Sequence, residues 1–518
     1  MNKLILLLTL LTFTGCTDRF DEINTNPNNP TNVTTPGLFN SATRNIVDVN
    51  MRGSFGSARM TLPWVQYSAQ RNYTEEDRFQ FRETTNTSLF NSYYLQAKNF
   101  KSVLELNTDP ATASGMSVYG NTNNQIAAAR IMLAYIFHNL VDTYGDIPYY
   151  SFGSDDPDFQ ALDINNLTPK FASQQKIYAD LLKELKEAVA MIDLTDNVFY
   201  NNQDNFFGTA VKLKRFGNSL RLRIANRVKN VIPSANAHIQ EAIASGVMLS
   251  ANDNIGVRFE ANSVNPAPTY RAFFVDNRTD YTVSKTFTDL LKGQIGPFST
   301  DPRLQKILAP RGTSKINSLN NNYTETSDLS KYQGMPYGIT SGQTNSQVSG
   351  VCHYSYSIFR PDYTEYLMEY AEVEFLLSEV NGWNQSHYEK GIRASMAKWN
   401  VTQTAIDAYI AALPAATQET VLTQKYIALF MQPYETWAEW RRTGFPNILI
   451  QPGGTGTLIN PINGSYTYIF TPLKQLTEMP SRLTYPVNQK DLNPAKYLEA
   501  SQNIGGDKLD TKLIWDTN

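Results

Sequence analysis

The sequence predicts a mainly α-helical protein in which helices pair into hairpins, with long irregular loops and a few short strands. Apolar residues recur with helical spacing in eight segments, and the turns between several of these segments are short. A long stretch between them lacks sustained periodicity. The predicted helices span residues 36–51, 87–106, 121–143, 171–193, 209–230, 364–381, 388–412 and 416–443.

Residues 1–15 have the pattern of an export signal. Lys3 is followed by an apolar run of about ten residues, which is too short to cross a membrane of roughly 30 Å. The run ends in small residues directly before Cys16, as lipoprotein signal peptidase requires, although Phe13 stands where Leu is usual. We therefore expect acyl chains on Cys16; an ordinary secretory signal with an incidental Cys is the alternative.

Residues 16–35 are rich in Asn and Pro and cannot bury enough apolar surface to fold alone, so we predict a lipid-anchored tether. Residues 36–518 are predicted to form one domain. Its helical scaffold covers about 36–245 and 363–445. Residues 246–362 form an irregular, ligand-facing region rich in Asn, Gly, Pro and Tyr, and residues 446–518 form a loop-rich tail with short β-type runs.

The segment 364–381 illustrates the helical pattern. Its apolar stripe repeats every three or four residues, its glutamates fall on another face, and Asn381 and Gly382 supply a stop. The segment 209–230 is strongly basic. A phosphate-binding face is one interpretation of its cations, but pairing with acidic helices such as 364–381 is favoured in a chain of net charge −3.

That near-neutral charge gives no electrostatic reason to expect nucleic acid as a partner. No two of the four histidines lie three or four residues apart, and metalloprotease, nucleophile-elbow, CxxC and Walker motifs are missing from the sequence. We therefore predict no catalytic residues and no cofactor. Two carboxylates suffice for a glycosidase, so the sequence leaves a glycan-degrading enzyme open as the least favoured hypothesis.

Three acidic residues, Asp155, Asp156 and Asp158, are weak candidates for a structural Ca²⁺ site. Their spacing does not match an EF-hand loop, so an exposed turn is the favoured interpretation.

Aromatic residues beside amides are the candidate ligand-binding groups. A sugar has an apolar C–H face and a polar rim, which suits a ring flanked by polar side chains. The alternative for each of these rings is packing in the core. The candidates are Trp64, Gln66, Tyr67 and Tyr73 in one segment, and Tyr270, Phe273 and Phe274 in another.

A series of motifs in one order resembles the SusD/RagB family of nutrient-binding outer-membrane lipoproteins. Besides the Cys16 lipobox and the arm at 20–28, the series comprises DTYGDIPY at 142–149, QQKIY at 174–178, KRFGNSLRLRIA at 214–225, DPRL at 301–304, AEVEF at 371–375, GIRASM at 391–396, QKYIALF at 424–430, ETWAEWRRTGFP at 435–446 and PSRLTYP at 480–486.

The resemblance implies a tetratricopeptide-like scaffold, a lipid anchor in the outer membrane facing the cell exterior, and a SusC-like TonB-dependent transporter as partner. It also implies capture of glycans or oligosaccharides, with oligopeptide capture of the RagB kind as the alternative. Ligand-binding residues vary within the family, so none is carried over.

Overall fold

The computed structural model describes residues 33–48, 59–460 and 464–516. The predicted signal peptide, Cys16 and most of the predicted tether lie outside these residues. The longer helices are α1 (Thr35–Ile46), α2 (Glu83–Thr108), α3 (Thr122–Tyr144), α4 (Gln174–Ala190), α5 (Ala210–Val228), α6 (Ala235–Ser245), α7 (Tyr370–Val380), α8 (Gln385–Lys398), α9 (Gln403–Ala411), α10 (Gln418–Ala428), α11 (Pro433–Thr443) and α12 (Pro494–Asn503).

The strands are short and pair in four antiparallel ribbons. They are β1 (Ser68–Gln70) with β5 (Tyr281–Val283), β2 (Ile147–Pro148) with β3 (Phe171–Ala172), β4 (Ile255–Arg258) with β6 (Thr364–Met368), and β7 (Thr455–Asn460) with β8 (Gly464–Ile469). The predicted fold class, mainly helical with a few short strands, is therefore confirmed.

Consecutive helices pack against each other from α1 to α6, and α7, α8 and α10 form a second group that α7 joins to α5. Side-chain caps explain where several helices begin: Asn121 accepts from the backbone of Asn124 at the start of α3, and Ser173 accepts from Lys176 at the start of α4. Within the described residues, no helix is long and apolar enough to cross a membrane.

The close approach of α5 to its neighbours depends on Gly217. A Cβ atom at this position would lie 2.6 Å from a methyl carbon of Val189 and 2.9 Å from one of Ile131. Any larger residue would therefore push α5 away from α3 and α4.

Three predicted helices are wrong in their extent. Residues 364–368 form β6, because they pair with β4, which lies far away in sequence. The segment 388–412 divides into α8 and α9, with Asn400 between them at a φ of 55°. The segment 416–443 divides into α10 and α11, because Pro433 opens a new helix and cannot continue the previous one. The helices α6 and α12 were not predicted.

The basic residues of α5 form a buried ion network, as the sequence suggested. Arg223 donates to Glu372 of α7 at 2.6 Å, and Arg227 pairs with Asp142 of α3 and Glu435 of α11. Their guanidinium groups are almost entirely enclosed. The predicted structural pairing with the acidic helix is confirmed, and the network ties α3, α5, α7 and α11 together.

Candidate functional site

The candidate site is positioned by the pairing of β1 with β5. Gln70 at the end of β1 lies opposite Tyr281 at the start of β5. Because the strands are antiparallel, the segment that follows β1 and the segment that precedes β5 lie at the same end of the ribbon. The backbone N–H of Asn72 donates to the carbonyl of Asp280 at 3.0 Å and extends this contact beyond the strands. Two candidate segments far apart in sequence are thereby brought together.

A π-helical turn over Arg271–Val275 presents two of the predicted rings. It follows the short helix Pro268–Tyr270, and it sets the rings of Tyr270 and Phe274 with centroids 5.3 Å apart and half-buried. Wide turns of this kind are frequent at functional sites. Phe273 points the opposite way: it is fully buried, 5.0 Å from the ring of Tyr281, so its predicted ligand contact does not fit the structure.

Tyr73 is the most accessible of the predicted rings, with 47% of its surface exposed. Its backbone φ is 55°, a conformation that residues other than Gly adopt at a cost. The guanidinium carbons of Arg82 and Arg278 lie 5.4 and 6.0 Å from its ring centroid, within reach of a cation–π interaction. Arg278 also donates its backbone N–H to Ala272 in the π-helical turn, so Tyr73 adjoins the second candidate segment.

Lys315 completes the surface. Its Nζ atom donates to the carbonyl of Phe273 at 2.7 Å and to Oδ1 of Asn277 at 3.0 Å, and it lies 5.3 Å from the ring centroid of Phe274. We call the surface formed by Arg71, Tyr73, Tyr270, Phe274, Arg278 and Lys315 the ring–cation face.

Three basic groups on or behind this face influence one another. Burial lowers the pKa of Arg71, and burial together with the charge of Arg71 lowers the pKa of Lys315. Burial, assisted by Arg71 and Lys315, lowers the pKa of His353 to about 4. His353 is therefore neutral at pH 7, whereas Arg71 and Lys315 keep their charges.

Trp64 and Tyr67, two of the predicted ligand contacts, lie in the core instead. Trp64 is 0% exposed and packs edge-on against Trp437 at 5.4 Å, and its indole N–H donates to the carbonyl of Glu76. Tyr67 is also 0% exposed and stacks on Tyr426 at 4.6 Å. A ligand cannot reach either ring in this structure.

Gln66 is likewise enclosed. It donates to the carbonyl of Ile450 at 2.8 Å and accepts from the hydroxyl of Thr286 at 2.8 Å. The N–H group and the oxygen of its amide are therefore both bonded within the protein. Gln66 has a structural role, and the predicted ligand contact does not fit the structure.

Two of the three weak Ca²⁺ candidates pair with lysines. Asp158 contacts Lys170 at 2.7 Å and Lys176 at 2.6 Å, and Asp156 contacts Lys176 at 3.0 Å, while Asp155 is exposed. Across the described part of the chain, no group of three or more His, Cys, Asp or Glu side chains is placed to hold a metal ion.

The predicted ligand-binding residues did not include the cations of the ring–cation face. Arg71 stands two residues before Tyr73, and its proximity was the one signal available. Arg278 and Lys315 come from segments with no recognisable motif, and only the folded chain brings them to the rings.

A depression of about 320 Å³ lies between α8 and the segment that precedes β6, and aromatic side chains line it too. Its Trp399 is only 2% exposed, and its cations are paired within the protein. Lys398 contacts Glu369 at 2.8 Å, and Arg360 donates to Asp362 at 2.6 Å. The ring–cation face, with its accessible rings, is the stronger candidate for ligand binding.

Comparisons with solved structures agree on the fold. A chitin-binding protein superposes with a TM-score of 0.73 at 23% identity, covering 94% of this chain and 100% of its own. A chitin-binding SusD homologue from Flavobacterium johnsoniae gives 0.71 at 22% identity, with 93% and 99% covered. A SusD homologue from Parabacteroides distasonis gives 0.72 at 21% identity, with 94% and 98% covered.

A search of curated protein sequences finds no significant match. The family profile of SusD-like proteins, described as starch-binding and associating with the outer membrane, matches residues 27–486. This match covers most of the chain and includes both the helical scaffold and the ring–cation face. We conclude that the chain belongs to the SusD/RagB family, among its SusD-like members.

Proposed function

We propose that this protein is an outer-membrane lipoprotein that binds oligosaccharides at the cell surface and delivers them, unchanged, to a SusC-like TonB-dependent transporter. The observation that carries the proposal is the ring–cation face, where three accessible rings lie beside polar side chains in a chain of the SusD-like family.

The rings supply the apolar part of the binding energy. Covering about 100 Å² of a ring contributes a gross gain of ~2.5 kcal/mol at ~25 cal/mol per Å². Association consumes much of the gain from one ring, so useful capture needs two or three rings. Tyr73, Tyr270 and Phe274 supply that number.

Binding is measured by isothermal titration calorimetry against a panel of oligosaccharides and, in parallel, a panel of oligopeptides. We expect a glycan to bind, and we expect the Tyr270→Ala/Phe274→Ala double variant to weaken that binding by about tenfold or more. Tyr466→Ala is the matched control, because Tyr466 is an exposed ring on β8. Binding of peptides alone would favour the oligopeptide hypothesis, and product release from a glycan would favour an enzyme.

The anchor and the partner are tested separately. We expect the wild-type protein to incorporate labelled palmitate and to fractionate with the outer membrane, and Cys16→Ala to lose both properties. We also expect a SusC-like transporter to co-purify with the anchored protein. A chain that remains in the membrane fraction without acylation would contradict the proposed lipid anchor.

A further inference from the structure

Arg71 is a cation of the ring–cation face that has no anionic partner among the described residues. It is partly buried, and its Nε atom has neither solvent contact nor a hydrogen-bond partner among the described residues. Arg71 also makes no ion pair with any described carboxylate. A partly desolvated guanidinium without an anion is costly, and most buried charges in proteins are paired.

Lys315 adds a second cation close to the first. Its hydrogen bonds go to neutral oxygen atoms of Phe273 and Asn277, and none of the described carboxylates lies within ion-pair distance of it. Arg71 is near enough to lower the pKa of Lys315. Two positive charges that repel each other are therefore held at one place, and nothing described there compensates them.

Nearby carboxylates do not compensate the charges of Arg71 and Lys315. Asp280 is engaged by Arg278, whose Nε atom donates to it at 2.9 Å. Glu76 is engaged by Arg59 at 3.1 Å, and burial raises the pKa of Glu76 to about 7, so this carboxyl is only partly ionised at neutral pH. The ring–cation face thus keeps an excess of positive charge in a protein whose formal net charge is −3.

The rings and the cations are interleaved. Lys315 lies beside Phe274, and Arg278 lies beside Tyr73. A sugar stacked on either ring would place the substituents on its rim within reach of a cation. Carboxylate and sulfate are the substituents that form charge-assisted hydrogen bonds with Arg and Lys.

We propose that the ring–cation face selects anionic glycans, which carry carboxylate or sulfate groups, over neutral glycans of the same backbone. This inference rests on the proposed function, because it specifies the ligand class of the same site. It sets this chain apart from its structural neighbours named as chitin-binding, since chitin carries no anionic group.

The experiment uses matched pairs of oligosaccharides and the mature full-length protein. Galacturonan, alginate and hyaluronan fragments are compared with their carboxyl-reduced forms, sulfated fragments are compared with their desulfated forms, and chito-oligosaccharides serve as neutral ligands. We expect at least one acidic member to bind about tenfold or more tightly than its neutral counterpart. The carboxylated and sulfated arms show which of the two anions is preferred.

Charge variants connect this preference to the face. We expect Arg71→Gln/Lys315→Gln to reduce affinity for the acidic ligand by about tenfold or more, and Lys315→Arg to retain it. Raising the salt concentration from 50 to 500 mM should weaken the wild-type interaction several-fold and the double variant less. Lys183→Gln/Lys186→Gln on α4 is the control with the same change in charge, and thermal melting confirms that each variant is folded.

The outcomes separate this inference from the proposed function. Binding of neutral glycans alone, or acidic binding that is insensitive to both the double variant and salt, would overturn the charge selection while leaving glycan capture intact. Failure of every glycan in the panel to bind would overturn both. An acidic preference lost equally in the α4 control would show that net charge, and not the face, is responsible.

Discussion

Two groups of cations in this protein resemble each other chemically but differ in their partners. On α5, Arg223 and Arg227 are fully buried and meet carboxylates from α3, α7 and α11. On the ring–cation face, Arg71 and Lys315 meet no described carboxylate. The two groups therefore carry the same kind of charge and differ in whether carboxylates from other elements compensate it.

The network continues through Glu439 of α11, which contacts Arg227 at 3.4 Å and Arg442 at 2.9 Å, and it shows how partners change the pKa of a buried group. Burial opposes the ionisation of Glu379, but Arg442 and Lys229 outweigh this effect and lower its pKa to about 2. His138, whose Nδ1 atom lies 3.1 Å from Asp142 of this network, is also enclosed, and its pKa falls to about 4, mainly because of burial. At neutral pH Glu379 is therefore ionised and His138 is neutral, as expected of groups with a structural role.

The largest effect is expected from breaking the buried network. Arg223→Met leaves Glu372 buried without its bidentate partner, so we expect a loss of about 3–5 kcal/mol in the free energy of unfolding, measured with urea. Arg223→Met/Glu372→Leu removes both charges and should recover most of that loss. If the single variant stays within about 1 kcal/mol of wild type, the network is not structural.

The next effect concerns pH. The unfolded chain protonates His138 near pH 6.5, but the folded chain does so near pH 4, so folded-state stability falls as the pH drops through this interval. Between pH 7 and pH 5 we expect His138 to lower the free energy of unfolding by about 2 kcal/mol. In His138→Gln the pH dependence of the free energy of unfolding should be smaller by that amount. Chemical unfolding of wild type and variant at both pH values measures this difference. An equal change with pH in the two proteins would contradict the lowered pKa of His138.

A smaller effect, of opposite sign, is expected at the ring–cation face. Arg71→Met removes an unpaired, partly buried charge and relieves its repulsion with Lys315. We therefore expect the free energy of unfolding to stay the same or to rise by about 1 kcal/mol. A marked loss of stability would place Arg71 in the same class as Arg223 and remove the contrast between the two regions.

The smallest effect is expected where charges are paired in solvent. Asp158→Asn breaks contacts with Lys170 and Lys176, whose side chains are partly exposed, so we expect a change of at most about 0.5–1 kcal/mol in unfolding free energy. Addition of Ca²⁺ should not shift the melting temperature of wild type. A clear shift that Asp158→Asn abolishes would restore this turn as a Ca²⁺ site.

Much of the scaffold follows from local patterns. Helices α2 to α5 agree with their predicted spans to within a few residues, because the apolar spacing of all four helices and the capping residues of α3, α4 and α5 are encoded locally. One error in the predicted helix bounds is at β6, where pairing with a distant strand overrides helical spacing. The others are at the breaks between α8 and α9 and between α10 and α11, which are too short to interrupt the apolar periodicity.

The candidate site was only partly predictable. The sequence alone indicated the family, the helical scaffold and the kinds of side chain that suit a sugar, because these depend on local composition and order. Only the tertiary structure decided that Trp64 and Tyr67 are core residues while Tyr73 is accessible, and that Arg71 and Lys315 lie beside the rings. The physical reason is that burial and charge pairing depend on contacts between distant segments, here those joined by β1 and β5.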